Sequence, residues 1–142
     1  MKRHRLILVL ALLFTSVASL RADYKVVVHG SNPLESISRD KLSDIFLKKV
    51  TRWDNGRTIT PVDQSEKNQV RDVFCKVALK KESAWIDGYW QKMIFSGRAT
   101  PPTRLNSDSE VLDFIHGNPD AIGYVSDAAS IGAGLKTISV KE

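Results

Sequence analysis

The segment VDQSEKNQVRDVF (residues 62–74) decides how this chain is read. It begins as the tail of a strand, with Ile59, Pro61 and Val62 apolar, and passes through small polar residues. It then takes up a three-four spacing at Val70, Val73, Phe74 and Val77, the mark of a helix face. Strand, polar turn and helix start form a geometry that holds anions, because the first helical N–H groups are unpaired and the peptide dipoles point their positive end there. The same residues also make a plain helix cap. Ser65 would accept from the first turn, Glu66 would suit the dipole, and Lys67 and Arg71 would face water. The residues support both readings equally.

On either side the pattern alternates. YKVVVHG (residues 24–30) is rich in β-branched residues and ends in a turn signal, so it reads as a strand. SRDKLSDIFLKK (residues 38–49) reads as a helix capped by Ser38, with Leu42, Ile45 and Phe46 on one face. TITPVD (residues 58–63) is a short strand, and residues 66–79 and 83–95 are the second and third helices. Trp85 and Trp90 are expected in the core at this spacing, and Cys75 as a half-buried helix residue. SGRATPPTRLNS (residues 96–107) reads as a loop. SDSEVLDFIHGNP (residues 107–119) is a helix capped by Ser107 or Ser109 and stopped by Gly117 and Pro119. AIGYVS (residues 121–126) and LKTISV (residues 135–140) close the chain as strands, with Tyr124 expected in the core. The order β-α-β-α-α-α-β-β predicts one α/β domain with helices packed on a small mixed sheet.

The chain of 142 residues has room for one such domain. Residues 1–22 read instead as a secretory leader. MKRHR is basic, LILVLALLF is a short apolar run, and small residues lead to a cleavage point placed after Ala22. The domain is then 23–142. Four of the 21 Lys and Arg residues fall in the leader and none of the 16 Asp and Glu, so the domain carries a net charge of +1. With no basic tail or dense Lys/Arg run, nucleic acid is not an expected partner. The single cysteine, Cys75, cannot form an internal disulfide and is far from the cleavage point, which excludes lipoprotein acylation there. The three histidines are scattered, and no metal, cofactor or nucleophile motif occurs. The expectation is a protein with no cofactor, metal or catalytic residue, by default not an enzyme.

Several segments, in order, carry a resemblance. Asn32-Pro33, Ile45-Phe46, Lys49 and Trp53, then ITPVDQS (residues 59–65), then AIGYVSDAA (residues 121–129) resemble the phosphate-binding subunits of phosphate ABC transporters, which are type II periplasmic binding proteins. Lys48 stands where that family has glycine. The resemblance implies a single lobe of the two-lobed fold, exported, soluble and periplasmic. It implies phosphate or a similar small oxyanion as ligand, held at the loop after residue 62. There the family's Ser-Gly-Thr is replaced by Asp63, Gln64, Ser65, Glu66, Lys67 and Asn68, so its glycine is missing and an acid is added. Ser65, Asn68 and Arg71 are the expected ligand residues on this loop and helix. Ser31 and Asn32 join them because ligands of open α/β sheets collect at strand ends. A single lobe leaves three arrangements open: an open-faced binder, a lobe paired with a membrane transporter, another periplasmic protein or a second copy, or an interaction module that no longer binds ligand.

Overall fold

The computed structural model describes residues 24–142. The expected leader, residues 1–22, lies outside them. The alternation in YKVVVH builds the centre of the molecule. Val26 and Val28 point to one face of strand β1 (Tyr24–His29) and Val27 to the other, and all three are buried. A strand buried on both faces needs cover on both, and the rest of the chain supplies it.

The elements follow as β2 (Ser36–Ser38), α1 (Arg39–Phe46), β3 (Thr60–Gln64), α2 (Gln69–Val77), α3 (Ser83–Phe95), β4 (Thr103–Leu105), α4 (Asp108–His116), β5 (Ala121–Ser126) and β6 (Leu135–Lys141). They form a six-stranded mixed sheet in the order β2-β6-β1-β5-β3-β4. β3 runs parallel to β4 and β5, whereas β1 runs antiparallel to β5 and β6. Val26 lies opposite Ile138 on β6 and opposite Tyr124 on β5.

One core joins α1, α2 and α3 to the sheet through Leu42, Ile45, Phe46, Phe74, Ile86, Trp90 and Tyr124. The second core lies under α4, where Val111 and Ile115 meet Val27, Val62 and Val125. Gly123 permits that approach: a Cβ there would come within 2.7 Å of Val62 Cγ2 and 2.9 Å of Val111 Cγ1. The helix ends follow the sequence in part. Ser38 caps α1 by accepting from Lys41 N at 3.2 Å, and Ser107, not Ser109, caps α4 by accepting from Glu110 N at 3.1 Å.

The fold expected from the sequence is present, with four differences of detail. Two three-residue edge strands, β2 and β4, were not expected, because three residues carry no readable alternation. α2 begins at Gln69, three residues later than the pattern predicts, because residues 65–68 form a turn with Asn68 N bonded to Ser65 O at 3.0 Å. Trp90 is core, but Trp85 is 45% exposed with Lys81 Nζ 4.7 Å from its ring centroid. Cys75 is fully rather than half buried.

Candidate functional site

Three parallel strands end at one edge of the sheet: β3 at Gln64, β4 at Leu105 and β5 at Ser126. Each chain segment then turns outward, and two of them enter helices. The starts of α2 and α4 therefore meet at a concavity of about 380 Å³ lined by Gln64, Lys67, Asn68, Asn106, Ser107 and Asp108 among others. This is the place where open α/β sheets receive ligands, since the side chains of neither strand nor helix fill it.

The two loops are stitched together. Gln64 Nε2 donates to Asp108 Oδ1 at 2.8 Å and to Tyr124 O at 2.9 Å, while its Oε1 accepts from Asn68 Nδ2 at 2.9 Å. Asn68 Nδ2 also donates to Asn106 O at 2.9 Å, and Ser65 N donates to Leu105 O at 2.9 Å. A buried, fully bonded glutamine thus fixes Asn68 and Asp108 relative to each other.

The two helix starts differ in charge. α4 is closed by its own residues: Ser107 caps it, Glu110 Oε2 accepts from Asn106 N at 2.7 Å, and Asp108 and Glu110 place two acids in its first turn. α2 has no side-chain cap from Asn68 and one acid, Asp72, in its first turn, and the exposed Glu66 and Lys67 precede it with opposite charges. Of the two, the α2 start is the one that favours negative charge.

Behind the concavity lies an ionic network that leaves one buried donor, Arg71 Nη1, without a partner among the described residues. Arg71, wholly buried, donates from Nε to Asp63 Oδ2 at 3.2 Å and from Nη2 to Asp87 Oδ1 at 2.9 Å. Arg104 completes the ring by bonding Asp87 and approaching Asp63 Oδ2 at 3.8 Å. Asp63 also accepts from Tyr124 Oη and from Gln64 N, the latter at 2.8 Å. Burial works against the Arg71 charge, yet the two carboxylates outweigh it and raise the guanidinium's pKa. Burial and the Asp63 charge both push the Tyr124 hydroxyl well up.

The five residues expected to hold the ligand do not form one site. Ser65 and Asn68 lie on the β3–α2 turn at the strand-end edge, Ser65 with its Oγ 3.4 Å from Lys67 N. Arg71 points away from that edge into the ionic network, because α2 starts late and turns its side chain to the core. Ser31 and Asn32 follow β1, which runs the opposite way to β3 and β5, so they sit at the far ends of those strands. The sequence shows a strand end there but not the strand's direction. Gln64, Asn106 and Asp108 were not singled out in the sequence; a glutamine closing a strand carries no signal until its partners are known.

No known family's sequence profile matches the chain, and no curated protein matches it significantly. Solved structures do. A candidate phosphate ABC transporter substrate-binding protein from Clostridium perfringens, solved with bound phosphate, superposes with a TM-score of 0.65 at 17% identity over 83% of this chain and 44% of that one. An ABC-type phosphate transport receptor from Vibrio cholerae gives 0.60 at 18% identity, over 83% of this chain and 46% of that one. PstS from Borrelia burgdorferi gives 0.63 at 15% identity, over 84% and 47%. The chain spans less than half the length of each of these structures. Residues 24–142 have the fold of one lobe of these proteins, as the resemblance in the sequence implied.

Proposed function

We propose that this chain is an exported, non-enzymatic substrate-binding protein that takes up phosphate or a similar oxyanion at the start of α2. The observation that carries the reading is the concavity where Lys67 and Asn68 stand before an uncapped helix start. The likeness to phosphate-binding proteins supports the choice of ligand, and the missing loop glycine points to a weaker grip than close backbone approach would give. In this reading the Lys67 ammonium and the Ser65 hydroxyl contact the anion, Asn68 braces the turn with its donors already given to Gln64, Asn106 and Ser65, and Arg71 holds the scaffold from behind. Among the described residues no helix is long and apolar enough to cross a membrane.

Calorimetric titration with phosphate, and with sulfate as control, tests it. Saturable heat with phosphate, reduced about tenfold or more by Lys67→Ala, is the expected result, since one charge-assisted hydrogen bond is lost. Absence of heat up to millimolar phosphate would sink the reading.

A second reading, a protein-interaction module, rests on Phe95, which is 91% exposed beside the 54% exposed Ile94 at the end of α3. Sedimentation of the protein with Phe95→Ser beside the parent separates them. An association lost in the variant would favour the module.

A further inference from the structure

A surface helix keeps its outer face polar, and α3 does not. Ile86 and Trp90 are buried in the core, yet Trp85, Ile94 and Phe95 are exposed. At about 100° per residue, Lys92 and Phe95 fall within about 80° of Trp85 round the helix. The outer face therefore carries an aromatic ring near each end and a cation between them. Trp85 is held in place there. It stacks on Tyr89, with centroids 5.7 Å apart and planes within 13°, and Tyr89 Oη donates to Leu47 O at 2.8 Å.

Cations gather round this face. Lys76, Lys80 and Lys81 lie beside Trp85, and the exposed Lys92 and Arg98 flank Phe95 in the sequence. Lys76 Nζ has a carboxylate within reach, Glu82 Oε2 at 3.8 Å. The other four form no ion pair among the described residues. Asp87, the remaining acid of the segment, is held by Arg71 and Arg104. Residues 76–98 thus hold five Lys and Arg against two Asp and Glu, a net charge of +3 in a domain of +1, so the rest carries −2.

Apolar tips among unpaired cations are complementary to a bilayer interface. Rings enter the boundary between headgroups and acyl chains, while lysine heads stay with anionic headgroups. Phe95 stands almost wholly clear of the protein, so this end of the face has no groove to grip a peptide, and a fluid layer needs none.

We propose that the outer face of α3 docks on a bilayer surface containing anionic phospholipid, with Trp85 and Phe95 in the headgroup boundary and Lys80, Lys81 and Lys92 on the lipid phosphates. The face includes the exposed tip on which the second reading rests, and here its occupant is lipid. The docking is independent of the oxyanion concavity and stands whether or not phosphate binds.

The test is co-sedimentation of the chain from Asp23 onward, which holds both cores, with vesicles of phosphatidylcholine alone or mixed equally with phosphatidylglycerol. The mixed vesicles should bind it at least about tenfold more tightly at low salt, and about 0.5 M salt should close the difference. Phe95→Ser should weaken binding about tenfold, and Lys80→Gln and Lys81→Gln about fivefold each. Nitroxide-bearing lipid should quench an emission that Trp85→Phe lacks, since Trp53 and Trp90 are buried. No binding to the mixed vesicles, equal binding to both kinds, or undiminished binding of Phe95→Ser or of the lysine variants would overturn the proposal. Self-association of the parent without lipid, lost in Phe95→Ser, would give the face to a second protein chain and overturn it as well.

Discussion

The ring of Phe74 lies flat against the ring of Tyr124, centroids 3.8 Å apart and planes within 7°. Phe46 meets the same pair edge-on and tilted, and Tyr24 closes on Phe74 at 5.4 Å. This cluster joins α1 and α2 to the middle of the sheet. Its Tyr124 hydroxyl reaches Asp63, so the aromatic core and the ionic network share one residue.

Phe74→Ala should therefore be among the most damaging single changes. Removing a wholly buried ring without collapse of its neighbours costs about 3–5 kcal/mol. Urea unfolding would show the midpoint fall. Phe74→Leu, which keeps most of the volume, should lose much less.

Arg71 separates scaffold from site. Arg71→Met removes a guanidinium that two carboxylates need and should destabilise the fold by about 3–5 kcal/mol. Phosphate affinity, measured well below the unfolding transition, should change little. A large loss of affinity in a still-folded protein would place Arg71 in the ligand site after all.

Cys75 gives the alkaline side of the stability curve. Burial pushes its thiol from 9.0 up to about 12, with Asp63, Asp72 and Asp87 adding to the effect and Arg71 opposing it. Above pH 9 the unfolded chain loses this proton while the folded chain keeps it, so stability falls as pH rises toward 12. Cys75→Ala should flatten that fall, with Tyr124, Tyr24 and Tyr89, whose hydroxyls burial also pushes up, contributing to what remains. In the folded protein at pH 8, iodoacetamide should label Cys75 only as fast as the protein opens.

Gly123→Ala tests the seat of α4. Its added methyl would meet β-branched side chains that cannot swing away, at 2.7 and 2.9 Å. The expected penalty is about 1–3 kcal/mol, read by thermal or urea unfolding.

Long periodic segments were legible and short or directional features were not. Ser83–Phe95 and Ala121–Ser126 are found with the bounds the pattern gives, because an apolar stripe and a run of buried β-type residues each repeat often enough to be read. A cap at Ser107 or Ser109 was legible because side chain and backbone act within one turn, and Ser107 is the one used. Thr103–Leu105 was hidden, since its place depends on pairing with β3 forty residues earlier, about the distance no local pattern spans. The candidate site was half legible for the same reason. Ser65 and Asn68 belong to the strand–turn–helix segment, whereas the removal of Ser31 and Asn32 follows from β1 running against β5. Arg71 reads in the sequence as facing either a ligand or water, because a charged residue on a helix shows no sign of burial until the carboxylates around it are found.

The antiparallel pairing of β1 with β6 brings the start of one strand beside the end of the other: Val26 faces Ile138, and Arg39 bonds Glu142. The chain accordingly enters and leaves the described fold at a single seam. Such a unit behaves as a cassette, able to be spliced into a host polypeptide, or cut in the exposed turn at Gly97 and rejoined across the seam, with its sheet order unchanged.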